Sequence, residues 1–387
     1  MRLTLFVLLL LISSNCKSQD NNTYKFDPRN LAGEKITLSE IADDIIYTPL
    51  DNAYPIGMVY NIKIINNKIY ISARDLGILV FDWKGRLIKK IGTIGRGPGE
   101  YTNYMNFGVN PQNETVYVND RDNVIKVYSE NDNFLRNISL HQKNSNIELL
   151  EIFNDKLIIF NYLQLGGAMD NWIVLDTLGN LIKTRKRTTP YFSSNYSSRS
   201  GVYKFKNIIF YWNSYNDTVF SILPDLTCKA SFLLSPGDHR LPLSNFDPQN
   251  QFPVKLRLYS IFETNRFIVL RYSYQDMVIA LINKKSGEAF KSNLEQEKNN
   301  VSGNYIGGIF NDLDGDVSFQ PQYYFEKNSQ EFMIGILNPQ QIKQHVRSKQ
   351  FNSSAPKYPE KKKELEKLAK ILNETDNPVL VLVKLKK

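Results

Sequence analysis

A short strand-like motif recurs along the chain, and its spacing limits the fold more than any other property of the sequence. Each copy is rich in β-branched and aromatic side chains, which favour strands. The copies are "KIYIS" at Lys68, "TVYVN" at Thr115, "KLIIF" at Lys156, "NIIFY" at Asn207 and "RFIVL" at Arg266. Successive copies are 47, 41, 51 and 59 residues apart, and "EFMIGIL" follows as a sixth candidate.

A second strand and a polar turn follow most copies of the motif. "ILVFDWKG", "WIVLDTLG" and "VIALINKKSG" each end in glycine, and "RLIKKIG" after the first of them is a plausible third strand. Repeated small sheets with a period of about 40–60 residues are typical of β-propellers. We therefore predict an all-β protein, a six-bladed β-propeller over residues 38–338. A parallel α/β fold is disfavoured because no helical pattern separates the strands.

The residues after the predicted propeller have a different pattern. The segment "PEKKKELEKLAKIL" starts with proline and has apolar residues at helical spacing, which predicts a helix over Pro359 to Leu372. "NPQQIKQHVRSKQF" before it suggests a second helix, and "NPVLVLVKLKK" predicts a terminal strand. We assign residues 339–387 to these helices and a closing strand. Either the terminal strand or "IIYTPL" at Ile45 could close the ring.

The N-terminus has the features of an export signal. Arg2 precedes an apolar run of ten residues from Leu3 to Ile12, which is too short for a membrane span but suits a signal peptide. Residues 1–18 are therefore predicted to be a lipoprotein-type signal with lipidation at Cys16, followed by a flexible linker over residues 19–37. The competing interpretation is ordinary cleavage after Ser18, which gives a soluble product.

The net charge of +9 raises the question of nucleic-acid binding. Much of the excess lies in "KTRKR" at Lys183 to Arg187 and in the tail from Lys357 to Lys387. An exported protein seldom meets intracellular nucleic acid, so we interpret these clusters as solvated surface or as weakly attractive to anionic lipid or polysaccharide, and expect no nucleic-acid partner. Cys228 is the one other cysteine, so an internal disulfide is not expected after loss or lipidation of Cys16.

The glycine-rich stretch "IGTIGRGPGEY", from Ile91 to Tyr101, could be mistaken for a phosphate-binding loop. It lacks the lysine and Ser/Thr of a Walker A motif, and its G-x-G-x-G pattern leads into a strand instead of a helix. We predict that it is a structural crossing from the outer strand of one blade to the inner strand of the next.

Several segments together resemble one family. "GTIGRGPGEY" after "VFDWKGRLIKKIG", with "LSEIADDIIYTPLD", "YNDTVFSI", "NDLDGDVSFQP" and "DNPVLVLVKLK", is similar to the bacterial "6-bladed β-propeller" lipoproteins, relatives of NHL-repeat propellers. The resemblance implies an exported, usually lipid-anchored propeller at the envelope of a Gram-negative anaerobe, with the outer membrane as the expected location. It brings no established catalytic residues.

Local candidates for binding are few. Asp312, Asp314 and Asp316 alternate as in a calcium loop, which makes a divalent cation such as calcium the candidate cofactor, although the EF-hand positions for glycine and glutamate are not matched. Tyr191, Phe192, Tyr196 and Tyr203 are predicted to be exposed aromatics that could stack a sugar or contact a protein. His239 is predicted to lie on a loop, where it could line a pocket.

Two classes of function follow. The preferred hypothesis is a non-enzymatic envelope module that binds a protein or glycan partner through loops on one face, anchored to the membrane by its N-terminal lipid. The alternative is a metal-dependent hydrolase or lyase that acts on a sugar or lactone, with acidic ligands from several blades in the central channel. Three or more carboxylates or histidines converging at the channel mouth would favour the enzyme.

Overall fold

The fold follows from a computed structural model that describes residues 25–27, 35–140, 147–163, 169–196, 200–234, 237–245, 247–296, 305–315 and 317–387. These residues form six mainly antiparallel sheets of four or five strands, and one separate two-stranded sheet. The predicted all-β class is confirmed. Within the described ranges, no helix is both long enough and apolar enough to cross a bilayer.

The first half of the chain builds three sheets. Before them come β1 (Lys25–Phe26), α1 (Leu38–Ile41) and β2 (Ala42–Pro49). Sheet I consists of β3 (Val59–Ile65), β4 (Lys68–Ala73), β5 (Gly77–Asp82) and β6 (Leu87–Ile91). The two-stranded sheet consists of β7 (Thr93–Ile94) and β8 (Glu100–Tyr101). Sheet II consists of β9 (Phe107–Val109), β10 (Val116–Asp120), β11 (Val124–Tyr128) and β12 (Phe134–Ser139). Sheet III consists of β13 (Ile147–Phe153), β14 (Lys156–Asn161), β15 (Asp170–Asp176) and β16 (Leu181–Lys186).

The second half builds the other three. Sheet IV consists of β17 (Ser200–Phe205), β18 (Ile208–Asn213), β19 (Thr218–Ile222) and β20 (Cys228–Leu234), with β1 added parallel at its edge. Sheet V consists of β21 (Arg257–Glu263), β22 (Phe267–Tyr274), β23 (Asp276–Asn283), β24 (Ala289–Gln296) and β25 (Tyr305–Gly307). Sheet VI contains β26 (Tyr323–Lys327), β27 (Gln330–Leu337) and β28 (Val379–Leu385), followed at its edge by β2.

Six buried apolar clusters hold the sheets face to face. Each cluster joins one sheet to the next in chain order, and the last joins sheet VI back to sheet I. In that last cluster Ile334 and Leu382 pack with Ile69 and Phe81, all of which are at most 1% exposed. The sheets therefore form a closed, propeller-like ring.

Both ends of the chain contribute to sheet VI. Strand β28 pairs with β27 on one side and with β2 on the other, so that Val383 lies between Met333 and Ile45. The two sequence segments considered for ring closure are therefore neighbours in one sheet. Residues Lys25 and Phe26, within the predicted linker, pair with Leu233 and Leu234 of β20.

The hairpin turns between first and second strands recur with the sequence repeat. Four of the turns between the first and second strands consist of two residues with positive φ, as a type I′ turn requires. Asparagine and aspartate adopt this conformation more readily than most residues. The turns are Asn66–Asn67, Asn154–Asp155, Lys206–Asn207 and Asn328–Ser329.

The antiparallel strand order divides the connections between two faces. Connections from a first to a second strand, or from a third to a fourth, lie on one face, which we call the turn face. Those from a second to a third strand, or from a fourth strand to the next sheet, lie on the opposite face, which we call the loop face. Several long connections join strand ends on the loop face, namely 50–58, 92–106, 338–378 and the described parts of 187–199 and 235–256.

Helices occupy some of these connections. The connection 235–256 contains α2 (Pro248–Gln251) and the 3₁₀ turns Gly237–His239 and Phe252–Val254, and the connection 338–378 contains α3 (Pro339–Val346), α4 (Lys349–Ser353) and α5 (Pro359–Ile371). Pro339 opens α3 behind a capping box formed by Asn338 and Gln341. The second predicted helix is thus two helices, because Ser348 caps a new one. The three helices interrupt sheet VI between its second and third strands.

Candidate functional site

A cavity of about 350 Å³ lies where the first strands of the sheets converge. We call it the central cavity. Its walls come from β3, β13, β17, β21 and β26, and Asn106, which precedes β9, completes the ring. Asn106 and Gln322 lie immediately before first strands, so the cavity extends to the end of these strands that borders the loop face.

Three charged side chains line the central cavity. Lys63 of sheet I and Lys204 of sheet IV both form ion pairs with Glu151 of sheet III. The Lys204 Nζ atom lies 3.0 Å from Glu151 Oε2, while Lys63 contacts Oε1. Lys204 also donates to the Ile152 carbonyl. One carboxylate therefore serves two ammonium groups, and the lining keeps one net positive charge.

Burial and mutual charge set the pKa values in this triad. Burial lowers the pKa of Lys63, and the neighbouring Lys204 charge lowers it further, while Glu151 opposes both effects. Burial alone would raise the pKa of Glu151, but the charges of Lys204 and Lys63 lower it to about 2. Glu151 is therefore ionised throughout the physiological pH range, and both lysines depend on it for charge compensation.

Aromatic side chains form much of the remaining wall. Tyr203 stacks on Phe210 with ring centroids 4.8 Å apart, and its hydroxyl donates to Glu263 at 2.7 Å. The Tyr324 hydroxyl donates to Glu331 at 2.9 Å. Burial raises the pKa of Tyr323 to about 12. The tyrosines of the cavity thus present neutral rings, two of them fixed by buried carboxylates behind the wall.

A second buried carboxylate lies beside the cavity, close to the loop face. Glu148 accepts a hydrogen bond from the Ser200 backbone N–H at 3.1 Å, and its own carbonyl accepts one from Asn106 Nδ2 at 2.8 Å. Burial raises the pKa of Glu148 to about 7, against the opposing effect of the Ser200 hydrogen bonds. Its charge in turn contributes to raising the pKa of Tyr162 and of Tyr211, after burial.

The predicted aromatic residues are divided between two places. Tyr191 is 60% exposed on the loop face, under the Arg187 guanidinium at 4.5 Å from its ring. Phe192 packs on Tyr215, and Tyr196, only 6% exposed, joins them. The prediction that all four aromatics are exposed is therefore wrong for Tyr196, because it packs in this cluster and donates to the Pro242 carbonyl.

Tyr203 and His239 occupy different surroundings. Tyr203 belongs to β17, in the wall of the central cavity, whereas it was expected with the exposed loop residues. His239 lies on the 235–256 connection, where its Nδ1 is 2.9 Å from the Val254 carbonyl oxygen and its ring meets the edge of Tyr274. The structure thus brings Phe192 and Tyr196 together and sets Tyr203 apart in the cavity.

The aspartates of "NDLDGD" tie the connection between β25 and β26 to the segment before β2 and to β2 itself. Asp312 accepts hydrogen bonds from the Ser39 backbone at 2.8 Å and from its hydroxyl at 2.6 Å. Asp314 accepts from the Tyr47 hydroxyl at 2.7 Å and from Asn311 Nδ2 at 2.6 Å. Asp316 and Cys16 lie outside the described residues. In the part of the chain that is described, no three His, Cys, Asp or Glu side chains converge as a metal site would need.

The glycine-rich loop contains a carboxylate that binds the backbone of the same loop. The Glu100 carboxylate accepts a hydrogen bond from the Gly97 N–H at 2.7 Å. Tyr101 is fully buried, and its hydroxyl donates to the Ile91 carbonyl. Strands β7 and β8 flank the loop on the way from sheet I to sheet II. This agrees with the predicted structural crossing, since the Gly97 N–H is already bound by the Glu100 carboxylate of the same loop.

Sequence reasoning missed the charged residues of the cavity. Lys63 and Glu151 each precede the first residue of a two-residue hairpin turn by three residues, inside mainly apolar strands. Aligning the repeats on their turns would have revealed this shared position. The signal for Lys204 is weaker, because its strand ends in a mixed "VYKFKN" sequence.

Comparisons with known proteins agree with this architecture. A family model described as "Domain of unknown function (DUF4934)" matches residues 23–384. No curated protein matches the chain. Among solved structures, a protein from Bacteroides fragilis NCTC 9343, provisionally described as exported, is 18% identical, with a TM-score of 0.69 over 94% of this chain and 99% of that chain. At this identity the similarity shows a shared fold.

Two further solved structures are more distant. A member of the DUF4221 family from Bacteroides vulgatus ATCC 8482 is 11% identical, with a TM-score of 0.49 over 89% of this chain and 97% of that chain. The WD40 repeats of RRP9 are 9% identical, with a TM-score of 0.44 over 91% of this chain and 99% of that chain.

Proposed function

The chain belongs to the DUF4934 family, and from that premise we propose that it is an exported six-bladed β-propeller whose loop face binds a protein or glycan at the cell envelope. The observation that carries the proposal is that several long connections join strand ends on one face, the face to which the central cavity extends. Loops clustered at one end of a propeller can build a binding site from several blades. The six sheets packed in a ring support the blade number.

The surface of the loop face suits a partner. Tyr191 and Met105 are 60% and 49% exposed there, and the Arg187 guanidinium lies over the Tyr191 ring. Exposed aromatic and arginine side chains are enriched at binding interfaces. The turn face offers short hairpin turns, which have little freedom to adapt to a ligand.

Site-specific photocrosslinking in the native envelope tests the proposal. Tyr191 or Met105 is replaced by p-benzoylphenylalanine on the loop face, and Leu178, 69% exposed on the turn face, is replaced in the matched control. We expect a defined adduct from the two loop-face positions and none from Leu178. Equal adducts from both faces, or adducts from Leu178 alone, would refute a loop-face site.

Membrane attachment is a separate part of the proposal. The position of Cys16 directly after a ten-residue apolar run supports lipidation there. The intact mass of the mature protein, with Cys16→Ser as the control, distinguishes the two maturation routes. A diacylated N-terminal cysteine that disappears in the variant supports the anchor, whereas a mature chain that starts at Gln19 rules it out.

A further inference from the structure

We infer that the central cavity binds a small organic anion that carries hydroxyl groups, such as an acidic monosaccharide or the acidic end of an oligosaccharide. The inference deepens the proposed binding function and rests on it, because it names the ligand class for the cavity that the loop face surrounds. Three properties of the cavity carry it: unbalanced charge, wall chemistry and size.

The charge of the lining favours an anion. Lys63 and Lys204 share the single carboxylate of Glu151, and no other charged residue among those described lines the cavity. Each ammonium group has three N–H donors, more than two carboxylate oxygens can satisfy for both lysines. The Lys63 and Glu151 side chains are only 17% and 9% exposed, so solvent does little to stabilise that pair, whereas Lys204, at 38% exposed, carries positive charge that a ligand can reach. A ligand carboxylate would compensate it.

The walls combine aromatic rings with neutral polar groups. Tyr259, Tyr323 and Tyr324 contribute rings, and Asn61, Gln322 and Ser260 contribute donors and acceptors. Sugar rings present apolar C–H faces and many hydroxyl groups, so a binding site for them needs both kinds of contact. A free inorganic anion would use the lysines but leave the aromatic wall and the amides without a role.

The size of the cavity restricts the ligand further. Ligand pockets span about 300–1,000 Å³, and the central cavity, at about 350 Å³, lies at the lower end. One or two sugar rings are therefore the expected occupants, and a longer chain would have to leave through the loop face.

Titration calorimetry with sodium D-glucuronate, D-glucose and sodium sulfate tests the inference. We expect glucuronate to bind at least tenfold more tightly than either glucose or sulfate. Lys204→Gln should weaken glucuronate binding at least tenfold, and Lys204 is suitable because its side chain is 38% exposed and its replacement should be tolerated. Lys68→Gln is the matched control, since Lys68 pairs with Glu114 outside the cavity.

The possible results separate the two proposals. Glucuronate and glucose binding equally, sulfate binding as tightly as glucuronate, or a folded Lys204→Gln protein with unchanged affinity would each overturn the acidic-sugar inference. So would the lack of binding by every probe. If loop-face crosslinks still form in that case, the binding function stands and only the ligand class fails. Circular dichroism of each variant confirms that it is folded.

Discussion

Lys63 in the first strand of sheet I forms an ion pair with Glu151 in the first strand of sheet III, although sheet II lies between them in the chain. Both side chains line the central cavity, and Lys204 of sheet IV approaches the same carboxylate at 3.0 Å. Three sheets are thereby linked at one buried point, and the linkage depends on Glu151.

Replacing Glu151 by leucine should destabilise the fold by at least about 2 kcal/mol, because two lysines lose their counter-charge. The loss should stay below that of a fully buried pair, since Lys204 can reach water. Urea denaturation measures it. Adding Lys63→Met to Glu151→Leu should recover part of the stability, and a single variant as stable as the natural protein would show that the triad contributes nothing.

Glu148→Gln should stabilise the protein at pH 8 and have little effect at pH 5. The folded-state pKa of Glu148 is raised to about 7, so the folded state binds its proton more tightly than the unfolded state does. This contribution is complete below the unfolded pKa of about 4.3 and is lost as the pH rises through about 7. At pH 8 the expected gain is at most about 4 kcal/mol.

Thermal unfolding from pH 5 to pH 8 measures the effect of Glu148→Gln. The groups that face Glu148 are Ser200, Tyr162 and Tyr211, with Arg187 near Tyr211. Glu288→Gln, at an exposed turn, is the control for loss of a carboxylate. If the difference in unfolding temperature between the variant and the natural protein does not grow with pH, Glu148 is not a buried carboxyl group without a counter-charge.

Gly95→Ala should destabilise the protein by about 1–2 kcal/mol, because the Glu100 carboxylate would lose its hydrogen bond to Gly97. A Cβ atom on Gly95 would lie 2.0 Å from Glu100 Oε2 and displace it. Chemical denaturation of Gly95→Ala, Glu100→Ala and the double variant checks this. The two effects should not add, and Arg96→Ala, at an exposed position of the same loop, should be neutral. Fully additive losses of stability would show that Gly95 and Glu100 act independently.

Val383→Asp should prevent stable folding, at a cost of more than about 3 kcal/mol, because it buries a charge in the middle of sheet VI. Val383 is fully buried between Met333 and Ile45. Lys384→Asp, one residue further on the same strand and partly exposed, is the control and should cost less than about 1 kcal/mol. Soluble yield and thermal unfolding report the outcome, and similar values for both variants would contradict the assignment of β28 as an interior strand.

The ring could be predicted because each repeat carries local information. Asn66–Asn67 and Asn154–Asp155 favour their turns whatever lies around them, and the apolar strands beside them need only neighbouring strands. The pairing of Lys25 and Phe26 with β20 could not be predicted, since two residues have no periodicity. The cavity triad was missed for a related reason, because Lys63, Glu151 and Lys204 meet only after three sheets have packed.

The pairing of β2 with β28 also constrains the order of folding. The partners Ala42 and Leu385 are 343 residues apart in the sequence, so the ring cannot close until β28 has reached β2 and β27. Until then β2 and β27 have unpaired edges, which are prone to pairing with other chains. Such a distant contact also carries a large loop-closure cost, which slows folding. The ring therefore stays open until β28 docks between its two neighbours, and this delay is the period in which a chaperone would be needed.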